Sequence, residues 1–488
     1  MPAALATLLV VLSSAAVLVL EVLVSRLVAP YVGLTLETYT AAIGVTLAAI
    51  AAGAALGGRL ADRADPRRWL GLALALGGGL VLSARPLVFA VGRDFRGLGT
   101  SGTVVLVLLA VAPAALVLST VTPAVIKLRL RTLEETGQTV GRLSAAGTLG
   151  ALAGTFLTGF VLLAALPTSR LLLLTGVLLL ATGLTVAVAL RAVAAPGPLV
   201  AVTALAALTG TWMVTEEGTC QMETRYYCAA VERDEDRPGG RALVLDGVRH
   251  SYVDLDDPAH LEFDYIQRIG DVLGARPSGP LDVLHLGGGG FTVPGHLGAV
   301  RPGSRSTVLE VDPGVVELGR DRLGLVTGPD LQVLVGDART AIEDQPTDAF
   351  DVVVGDAFGS TSVPWHLTTA EMVEQVSRVL RPDGVYVLNL IDHTPLRFAR
   401  AEVATLLAGF TDVVLVNGPD EVLGSDGGNL VVVASDDVID NDALSAASRA
   451  AGRPVSDRAE LERFARGAQV LTDDDAPVDQ LLTPYPRT

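Results

Sequence analysis

The hydrophobic pattern divides the chain into two parts. Up to about residue 215, long apolar stretches alternate with short polar links, and seven of these stretches are long enough to cross a hydrocarbon core of roughly 30 Å as helices. They cover residues 3–28, 37–58, 69–91, 103–126, 143–166, 171–190 and 196–214. The pattern therefore predicts a multi-pass α-helical membrane domain of about seven helices over residues 1–215, placed in a lipid bilayer.

Basic residues are distributed unevenly among the links between these helices. The links after the second and fourth stretches contain four Lys or Arg residues each, and the links on the opposite side contain two or fewer. Because basic loops are retained in the cytoplasm, the N-terminus is expected on that side of the cell membrane. Seven crossings would then place the rest of the chain outside.

From residue 216 onward the apolar runs are shorter. Runs rich in β-branched and aromatic residues, separated by a turn at RPGG, predict a small β-hairpin region over residues 216–260. Over residues 261–488, seven strand-like runs alternate with helical stretches. This alternation is typical of an α/β Rossmann-like domain that binds ligands at the carboxyl ends of its strands. The last two runs, TDVVLVN and NLVVVAS, predict an antiparallel pair at one edge.

The two parts of the chain also differ in charge. Residues 1–215 contain 14 basic and 7 acidic residues, whereas residues 216–488 contain 22 basic and 46 acidic residues. An acidic soluble part argues against a nucleic-acid partner. It is compatible with a cationic small molecule as ligand, or with a surface that only maintains solubility.

Side chains that bind metals or form disulfides are few. The six histidines show no metal-ligand spacing, so no metal site is expected. The two cysteines, Cys220 and Cys228, closely follow the last predicted helix. They are compatible with a disulfide on an oxidising side of the membrane or with two free thiols.

Glycines and acidic residues fall at the ends of successive predicted strands. Four glycines end the run VLHLGGGG (283–290), Glu310 ends the next strand, and Asp337 and Asp356 end the third and fourth. Glycines let the backbone approach a ligand closely, and Glu310 suits a pair of ribose hydroxyls. Each acid alone is also a candidate cap for the helix that follows. Together they predict a site for a nucleoside of the S-adenosylmethionine type.

The second part of the chain resembles the spermidine synthase (polyamine aminopropyltransferase) family, in the bacterial branch with an N-terminal multi-spanning membrane region. The resemblance implies a Rossmann-like methyltransferase fold and transfer of an aminopropyl group from decarboxylated S-adenosylmethionine to a diamine such as putrescine, with release of methylthioadenosine. The stretches that carry it are LVLDGVRHSYVD (243–254), Tyr265, VLHLGGGG (283–290), VLEVDP (308–313), VGDA (335–338), VVVGDAFGSTSVPWHLTT (352–369), RPDGVYVLNL (381–390) and LTDDDAP (471–477).

The resemblance also implies roles for individual residues. Asp356 would accept the proton of the attacking amine, because the amine must be neutral to react. Tyr265 would line the amine channel, and His250 is a further amine-binding candidate. The residues implied to bind the nucleoside are Gly287, Gly288, Gly289, Glu310, Asp337, Ala338, Tyr227 and Pro364. No cofactor is implied beyond the decarboxylated co-substrate, and a homodimer is an option because family members are often dimers.

Three positions depart from the family pattern at the amine site. Gly290 and Gly359 stand where acidic residues are expected, and Ile266 stands where bacterial members often have histidine. Each lost carboxylate removes a charge-assisted hydrogen bond, which is worth on the order of 1.5–3 kcal/mol. The departures therefore weaken the expectation that putrescine is the acceptor.

Other residues and other functions stay open at this point. His250, Asp254 and Asp392 are candidates to replace the missing amine-binding groups. One alternative function is a transferase that uses the same nucleoside with a different acceptor or transferred group. Another is a non-enzymatic nucleoside- or polyamine-sensing domain attached to a transport-like membrane region.

Overall fold

The chain forms two compact units, Met1–Gly218 and Thr219–Thr488. The computed structural model describes residues 1–33, 36–95, 98–130, 132, 134–190, 197–215, 220–359, 363–417, 427–449 and 452–483. We refer to the two compact units as unit 1 and unit 2.

Unit 1 is helical. A 3₁₀ turn, Gly92–Phe95, follows the third helix, and a π-helical turn, Thr158–Leu162, joins the sixth helix to the seventh. The helices are α1 Ala3–Val32, α2 Leu36–Arg63, α3 Pro66–Val91, α4 Gly99–Ser119, α5 Val121–Arg129, α6 Thr136–Leu157, α7 Leu163–Ala165, α8 Thr168–Ala189 and α9 Gly197–Thr215.

Six helical segments of unit 1 are long and apolar enough to cross a membrane. They are Ala3–Val32, Leu36–Arg63, Pro66–Phe95, Gly99–Arg129, Thr136–Leu162 and Thr168–Ala189. The seventh predicted span forms helix α9, but its apolar part, Val200–Trp212, belongs to the shorter class of 10–17 residues. Within the described residues the number of candidate spans is therefore six, one fewer than the hydrophobic pattern predicts.

Glycines let the helices of unit 1 pack backbone against backbone. A Cβ atom on Gly53 of α2 would lie 2.2 Å from the carbonyl oxygen of Leu116 in α4. A Cβ atom on Gly150 of α6 would lie 2.6 Å from the carbonyl oxygen of Val11 in α1. Such close approach is the usual way in which apolar helices associate without a hydrophobic driving force between them.

Unit 2 begins with a small antiparallel sheet in the order β1-β2-β3-β4. Its strands are β1 Met222–Glu223, β2 Cys228–Arg233, β3 Gly240–Leu245 and β4 Val248–Asp254. The two-residue turn Asp246–Gly247 joins β3 to β4 with positive φ at both residues, which is the turn that an Asp-Gly pair favours. Cys220 and Cys228 are free thiols, and the pKa of Cys228 is raised by a hydrogen bond with the Cys220 thiol and by burial.

The remainder of unit 2 is an eight-stranded sheet in the order β12-β10-β11-β9-β8-β5-β6-β7. Strands β5 to β9 are parallel, and β10, β11 and β12 are antiparallel to their neighbours. The strands are β5 Asp282–Leu286, β6 Arg305–Glu310, β7 Leu331–Val335, β8 Phe350–Gly355, β9 Leu380–His393, β10 Asp412–Val416, β11 Gly427–Ser435 and β12 Val455–Ser456. The two runs expected to form an antiparallel edge pair are β10 and β11. They do pair, but β12 lies beyond them at the edge.

Helices cover both faces of this sheet. Val353 of β8 packs in the hydrophobic cluster that contains Met372, whereas Val352 and Val354 pack in the cluster of Ile269 on the opposite face. The helices are α10 Asp264–Ala275, α11 Thr292–Val300, α12 Pro313–Arg322, α13 Ala338–Ala341, α14 Ala370–Val379, α15 Arg397–Gly409, α16 Asn441–Arg449, α17 Arg458–Phe464 and α18 Val478–Leu481. Because β5 has β6 on one side and β8 on the other, the chain reverses its winding at β5, where open α/β sheets bind ligands.

Candidate active site

The glycine loop begins where the carboxyl ends of β5, β6 and β8 meet. The N–H group of Gly287 donates a hydrogen bond to the Leu309 carbonyl oxygen (2.9 Å), and the N–H group of Asp356 donates to the Leu286 carbonyl oxygen (3.0 Å). Gly287 has φ of 96°, and a Cβ atom there would lie 2.5 Å from the carbonyl oxygen of Asp356. Glycine at position 287 is therefore required both by its backbone conformation and by the neighbouring strand.

The Glu310 carboxylate holds the glycine loop. Its Oε2 atom accepts hydrogen bonds from the N–H groups of Gly288 (2.8 Å) and Gly289 (3.4 Å), and its Oε1 atom accepts one from Asp312 (2.8 Å). Only 6% of Glu310 is exposed. Burial raises the pKa of this carboxyl group, while the three N–H groups act in the opposite direction.

The fourth glycine packs against the small sheet. The N–H group of Gly290 donates a hydrogen bond to Oγ of Ser251 in β4 (2.9 Å). A Cβ atom on Gly290 would lie 2.7 Å from the Ser251 Cβ atom, which is too close for two carbon atoms. This fold therefore leaves no room at position 290 for the acidic side chain that the family pattern leads one to expect.

Asp337 caps a short helix at the end of β7. Its Oδ1 atom accepts a hydrogen bond from the N–H group of Arg339 (2.8 Å), and its Oδ2 atom lies 3.2 Å from Nε2 of His366. The helix-capping interpretation of this residue is thus observed. Asp337 and the adjacent Ala338 also line the same cavity as the glycine loop, so capping does not remove Asp337 from the site.

Asp356, at the end of β8, is oriented by neutral donors. Nδ2 of Asn389 donates a hydrogen bond to its Oδ1 atom (2.8 Å), and the Tyr265 hydroxyl lies 3.4 Å from its Oδ2 atom. Asn389 is in turn held by Asn429, whose Nδ2 atom donates to Asn389 Oδ1 (3.0 Å). Desolvation raises the pKa of Asp356 to about 6, although both hydrogen bonds lower it. A carboxylate with this pKa is a stronger base than an ordinary aspartate.

Two further aromatic residues complete the surroundings of the glycine loop and Asp356. The Tyr227 hydroxyl donates a hydrogen bond to the carbonyl oxygen of Phe358 (2.8 Å), and burial next to Glu310 raises its pKa. His250 lies beside Tyr265, and its Nε2 atom has no hydrogen-bond partner among the described residues. Burial lowers the pKa of His250 to about 4, so this imidazole is neutral at physiological pH.

One cavity of about 760 Å³ brings the predicted site residues together. The eleven predicted residues that line it are Tyr227, His250, Tyr265, Gly287, Gly288, Gly289, Glu310, Asp337, Ala338, Asp356 and Pro364. Gly359 and Ile266, two of the three departures from the family pattern, also line it. The arrangement joins a loop and acids suited to a nucleoside with an enclosed basic carboxylate.

Two of the residues considered as replacements for the missing amine-binding groups do not line this cavity. Asp254 forms an ion pair with Arg237 and accepts a hydrogen bond from the N–H group of Asp256 (2.9 Å). Asp392 accepts hydrogen bonds from the N–H groups of Ala399 (3.0 Å) and Thr483 (3.1 Å). Neither aspartate therefore faces this cavity, and His250 is the one of the three candidates that lines it.

Sequence reasoning missed Asn389, Asn429 and Ser251, which also line the cavity. Asn389 lies inside the apolar run GVYVLNL, and it is 1% exposed. A polar residue in the interior of a buried strand is itself a signal, because such a residue needs a hydrogen-bond partner. Ser251 gives no comparable signal, since its contact with Gly290 is between residues distant in the sequence.

The chain was also compared with known proteins. No family model matches it. A polyamine aminopropyltransferase of Vibrio vulnificus is 28% identical over 154 residues, which are 31% of this chain and 51% of the relative. A polyamine aminopropyltransferase of Pyrobaculum arsenaticum is 29% identical over 204 residues, 39% of this chain and 67% of the relative. The chain is thus similar to polyamine aminopropyltransferases over part of its length.

The chain spans about half the length of the Vibrio relative. Among solved structures, a probable spermidine synthase from Corynebacterium glutamicum is 29% identical, with a TM-score of 0.49, over 52% of this chain and 96% of that chain. The curated relatives are named polyamine aminopropyltransferases, and the solved structure is named a probable spermidine synthase.

Replacing Gly287 by alanine tests the geometry of the loop. We expect Gly287→Ala to destabilise the ends of β5 and β8 by about 1–3 kcal/mol, because the positive φ and the Asp356 carbonyl oxygen both oppose a side chain. Hydrogen exchange of the full chain, followed in peptides from these strands, measures the effect. Gly336→Ala is the matched control, since a Cβ atom at Gly336 would meet nothing within 4 Å. Equal protection in the two variants would contradict the expectation.

Proposed function

We propose that unit 2 transfers an aminopropyl group from decarboxylated S-adenosylmethionine to a primary amine and releases methylthioadenosine. The family resemblance implies a diamine such as putrescine as the acceptor. The single observation that carries the proposal is the position of Asp356. This carboxylate, with its raised pKa, faces the same cavity as the glycine loop and Glu310.

In the proposed reaction, the amine nitrogen attacks the methylene carbon next to the sulfonium. The new N–C bond forms as the C–S bond breaks, and the electron pair of the C–S bond goes to sulfur. The nitrogen loses a proton to the carboxylate of Asp356, which Asn389 and Tyr265 hold in place. Since a sulfonium is already a good leaving group, positioning of the two substrates supplies much of the remaining catalysis.

The nucleoside would lie along the glycine loop. Each oxygen of a carboxylate accepts more than one hydrogen bond, so Glu310 retains acceptor capacity for ribose hydroxyls while it holds the loop. Asp337 and Ala338 would contact the adenine, with Tyr227 and Pro364 packing nearby. In this arrangement the methylene carbon next to the sulfonium would lie between the loop and Asp356, where an amine could reach it.

We further propose that unit 1 anchors the enzyme in the cell membrane with unit 2 in the cytoplasm. The donor nucleoside is an intracellular metabolite, so a cytoplasmic site is the one that has access to it. The six candidate spans among the described residues support this orientation, because an even number of crossings leaves both ends of the membrane region on the same side. The excess of basic residues in the links after the second and fourth helices favours the cytoplasm for that side.

The role of Asp356 is tested with the purified full chain in detergent. Asp356→Asn is expected to lower the rate of methylthioadenosine release by about 10²- to 10⁴-fold, because it removes the proton acceptor and keeps the shape. Unchanged release from the variant would contradict the proposal. Conversion of S-adenosylmethionine itself to S-adenosylhomocysteine, without turnover of the decarboxylated donor, would indicate a methyltransferase instead.

The pH dependence tests how Asn389 supports Asp356. Since the base must be ionised, kcat/KM is expected to rise with pH through about 6. Asn389→Leu removes a hydrogen bond that stabilises the carboxylate, so the inflection should move to higher pH. Asn417→Leu is the control, because the buried Asn417 bonds to Oγ of Ser456 away from the cavity (2.9 Å). A shift of equal size in both variants would refute a specific role for Asn389.

The orientation in the membrane is tested by protease accessibility in intact cells. Protease added outside is expected to leave unit 2 uncut and to cleave it once the membrane is permeabilised. An N-terminal epitope tag should be protected in the same way, since six crossings place both on one side. Cleavage of unit 2 in intact cells, with the tag protected, would instead support seven crossings.

A further inference from the structure

Asp356 is held by donors from two different elements of unit 2. Asn389 of β9 donates a hydrogen bond to its Oδ1 atom (2.8 Å), and the Tyr265 hydroxyl of α10 lies 3.4 Å from its Oδ2 atom. Main-chain hydrogen bonds of the sheet fix β9 relative to β8, but α10 only packs on one face of the sheet. The position of Tyr265 relative to Asn389 is therefore set by contacts of side chains.

An ion pair orders the first turn of α10. The N-cap residue is Phe263, whose side chain has no hydrogen-bond acceptor for the N–H groups of that turn. Asp264 follows, and its Oδ2 atom accepts a hydrogen bond from Nε of Arg268 one turn later (2.8 Å). An acidic residue in the first turn, paired with a basic residue four positions on, stabilises the start of a helix. Because Tyr265 lies directly after Asp264, the pair also fixes the backbone of Tyr265.

Arg268 also contacts the residues that hold Asn389. Its Nη1 atom donates a hydrogen bond to the carbonyl oxygen of Asn429 in β11 (2.9 Å). Nδ2 of Asn429 donates to Oδ1 of Asn389 (3.0 Å), and Asn389 donates to Asp356. One guanidinium group thus bonds both to the helix that carries Tyr265 and to the strand residue that orients Asn389.

Packing alone does not account for an arginine at position 268. Its side chain is only 3% exposed, and the other buried residues of α10 are Ile266, Ile269, Val272 and Leu273. A buried ion pair is weak evidence for stability, because the cost of removing the charges from water offsets their attraction. A guanidinium differs from an apolar side chain or an ammonium in that it donates hydrogen bonds in several fixed directions at once.

Arg453 binds the other oxygen of the Asp264 carboxylate. Its Nη2 atom lies 2.7 Å from Oδ1 of Asp264, and its Nη1 atom lies 2.9 Å from Oδ2 of Asp271. The side chain of Arg453 is 5% exposed. Asp264 would therefore keep a cationic partner if Arg268 were replaced, so the link from Arg268 to Asn429 can be removed without leaving this carboxylate unpaired.

From this geometry we propose that Arg268 is a positioning residue that holds Asn389 and Tyr265 in place around Asp356. The inference rests on the proposed aminopropyl transfer, in which Asp356 accepts the proton of the amine. Arg268 takes no part in the proton transfer and acts only through the two donors. A shift of α10 relative to β11 would lengthen the hydrogen bond from one donor, and the guanidinium opposes that shift.

Arg268→Met tests the proposal with the purified full chain in detergent. Methylthioadenosine release from decarboxylated S-adenosylmethionine is measured against pH, with whichever of putrescine, cadaverine and 1,3-diaminopropane the wild-type chain uses best. Both hydrogen bonds lower the pKa of Asp356, so loosening them raises it. The inflection of kcat/KM should therefore move to higher pH by roughly 0.4–1 unit. The other ionisable side chains of the cavity are the same in both proteins.

Arg381→Met is the matched control. Arg381 binds Asp282 (2.8 Å) and forms an ion pair with Asp351, at the amino ends of β5 and β8, whereas Asp356 follows the carboxyl end of β8. The control loses ion pairs on the same strands, and its inflection should stay at the wild-type pH. Thermal unfolding measures how far each variant is destabilised. Equal shifts in the two variants would assign the effect to general loosening of unit 2 and overturn the inference.

Combining the substitution with Asn389→Leu tests whether Arg268 acts through Asn389. In that background Arg268→Met should shift the inflection by less than it does in the wild-type chain, because the link through Asn429 is already lost. Equal shifts in the two backgrounds overturn the inference.

The remaining outcomes separate the inference from the proposed function. A raised KM for the amine with an unmoved inflection in Arg268→Met would show that Arg268 contacts the substrate, which overturns the inference and leaves aminopropyl transfer standing. If Arg268→Met does not fold, Arg268→Lys decides, since it keeps the charge without the guanidinium geometry, and an unmoved inflection there overturns the inference. Absence of methylthioadenosine release by the wild-type chain with every amine overturns the proposed function itself.

Discussion

The hydrogen bonds of Glu310 to the main chain are the constraint on which the site depends. This carboxylate joins the loop after β5 to the end of β6, through the N–H groups of Gly288 and Asp312. A buried carboxylate without donors is costly, and so are buried N–H groups without an acceptor. The hydrogen bonds between the carboxylate and the N–H groups therefore offset the cost of burying both, and the loop keeps an open shape beside the cavity. Without this contact, the N–H groups of the glycine loop would lose the acceptor that holds the loop beside the cavity.

The contrast between two aspartates shows how the site keeps one carboxylate basic. Asp264 is partly buried, which by itself would raise its pKa, yet hydrogen bonds from Arg453 and Arg268 hold the pKa below its ordinary value. Asp356 is held by the neutral donors Asn389 and Tyr265, so desolvation prevails and its pKa rises. Amides orient a carboxylate without neutralising it. Among the described residues, the raised pKa of Asp356 therefore follows from burial together with donors that carry no charge.

Much of the fold of unit 2 was predictable from sequence, and so was the clustering of the predicted nucleoside-site residues around one cavity, because both follow from the regular succession of strands. Strands such as β8 are apolar runs, and Glu310 and Asp356 end such runs directly. Short elements such as β12 and α18 were missed, since a few residues show no periodicity. Six candidate membrane spans lie within the described residues, and the seventh predicted stretch forms helix α9. Contacts between residues distant in sequence, such as Ser251 with Gly290, could not be predicted from the sequence.

Gly290 and Gly359 both stand where the family pattern has an acidic residue, but their surroundings in the structure differ. At Gly290 a side chain would collide with Ser251, so an acid there would require β4 to move away from the glycine loop. Gly359 instead lines the cavity, as does Ile266. An acidic side chain is therefore excluded at position 290 because the small sheet packs closely against the glycine loop. An acidic side chain at position 290 would require a change in packing, whereas a carboxylate at position 359 would be added to the cavity lining.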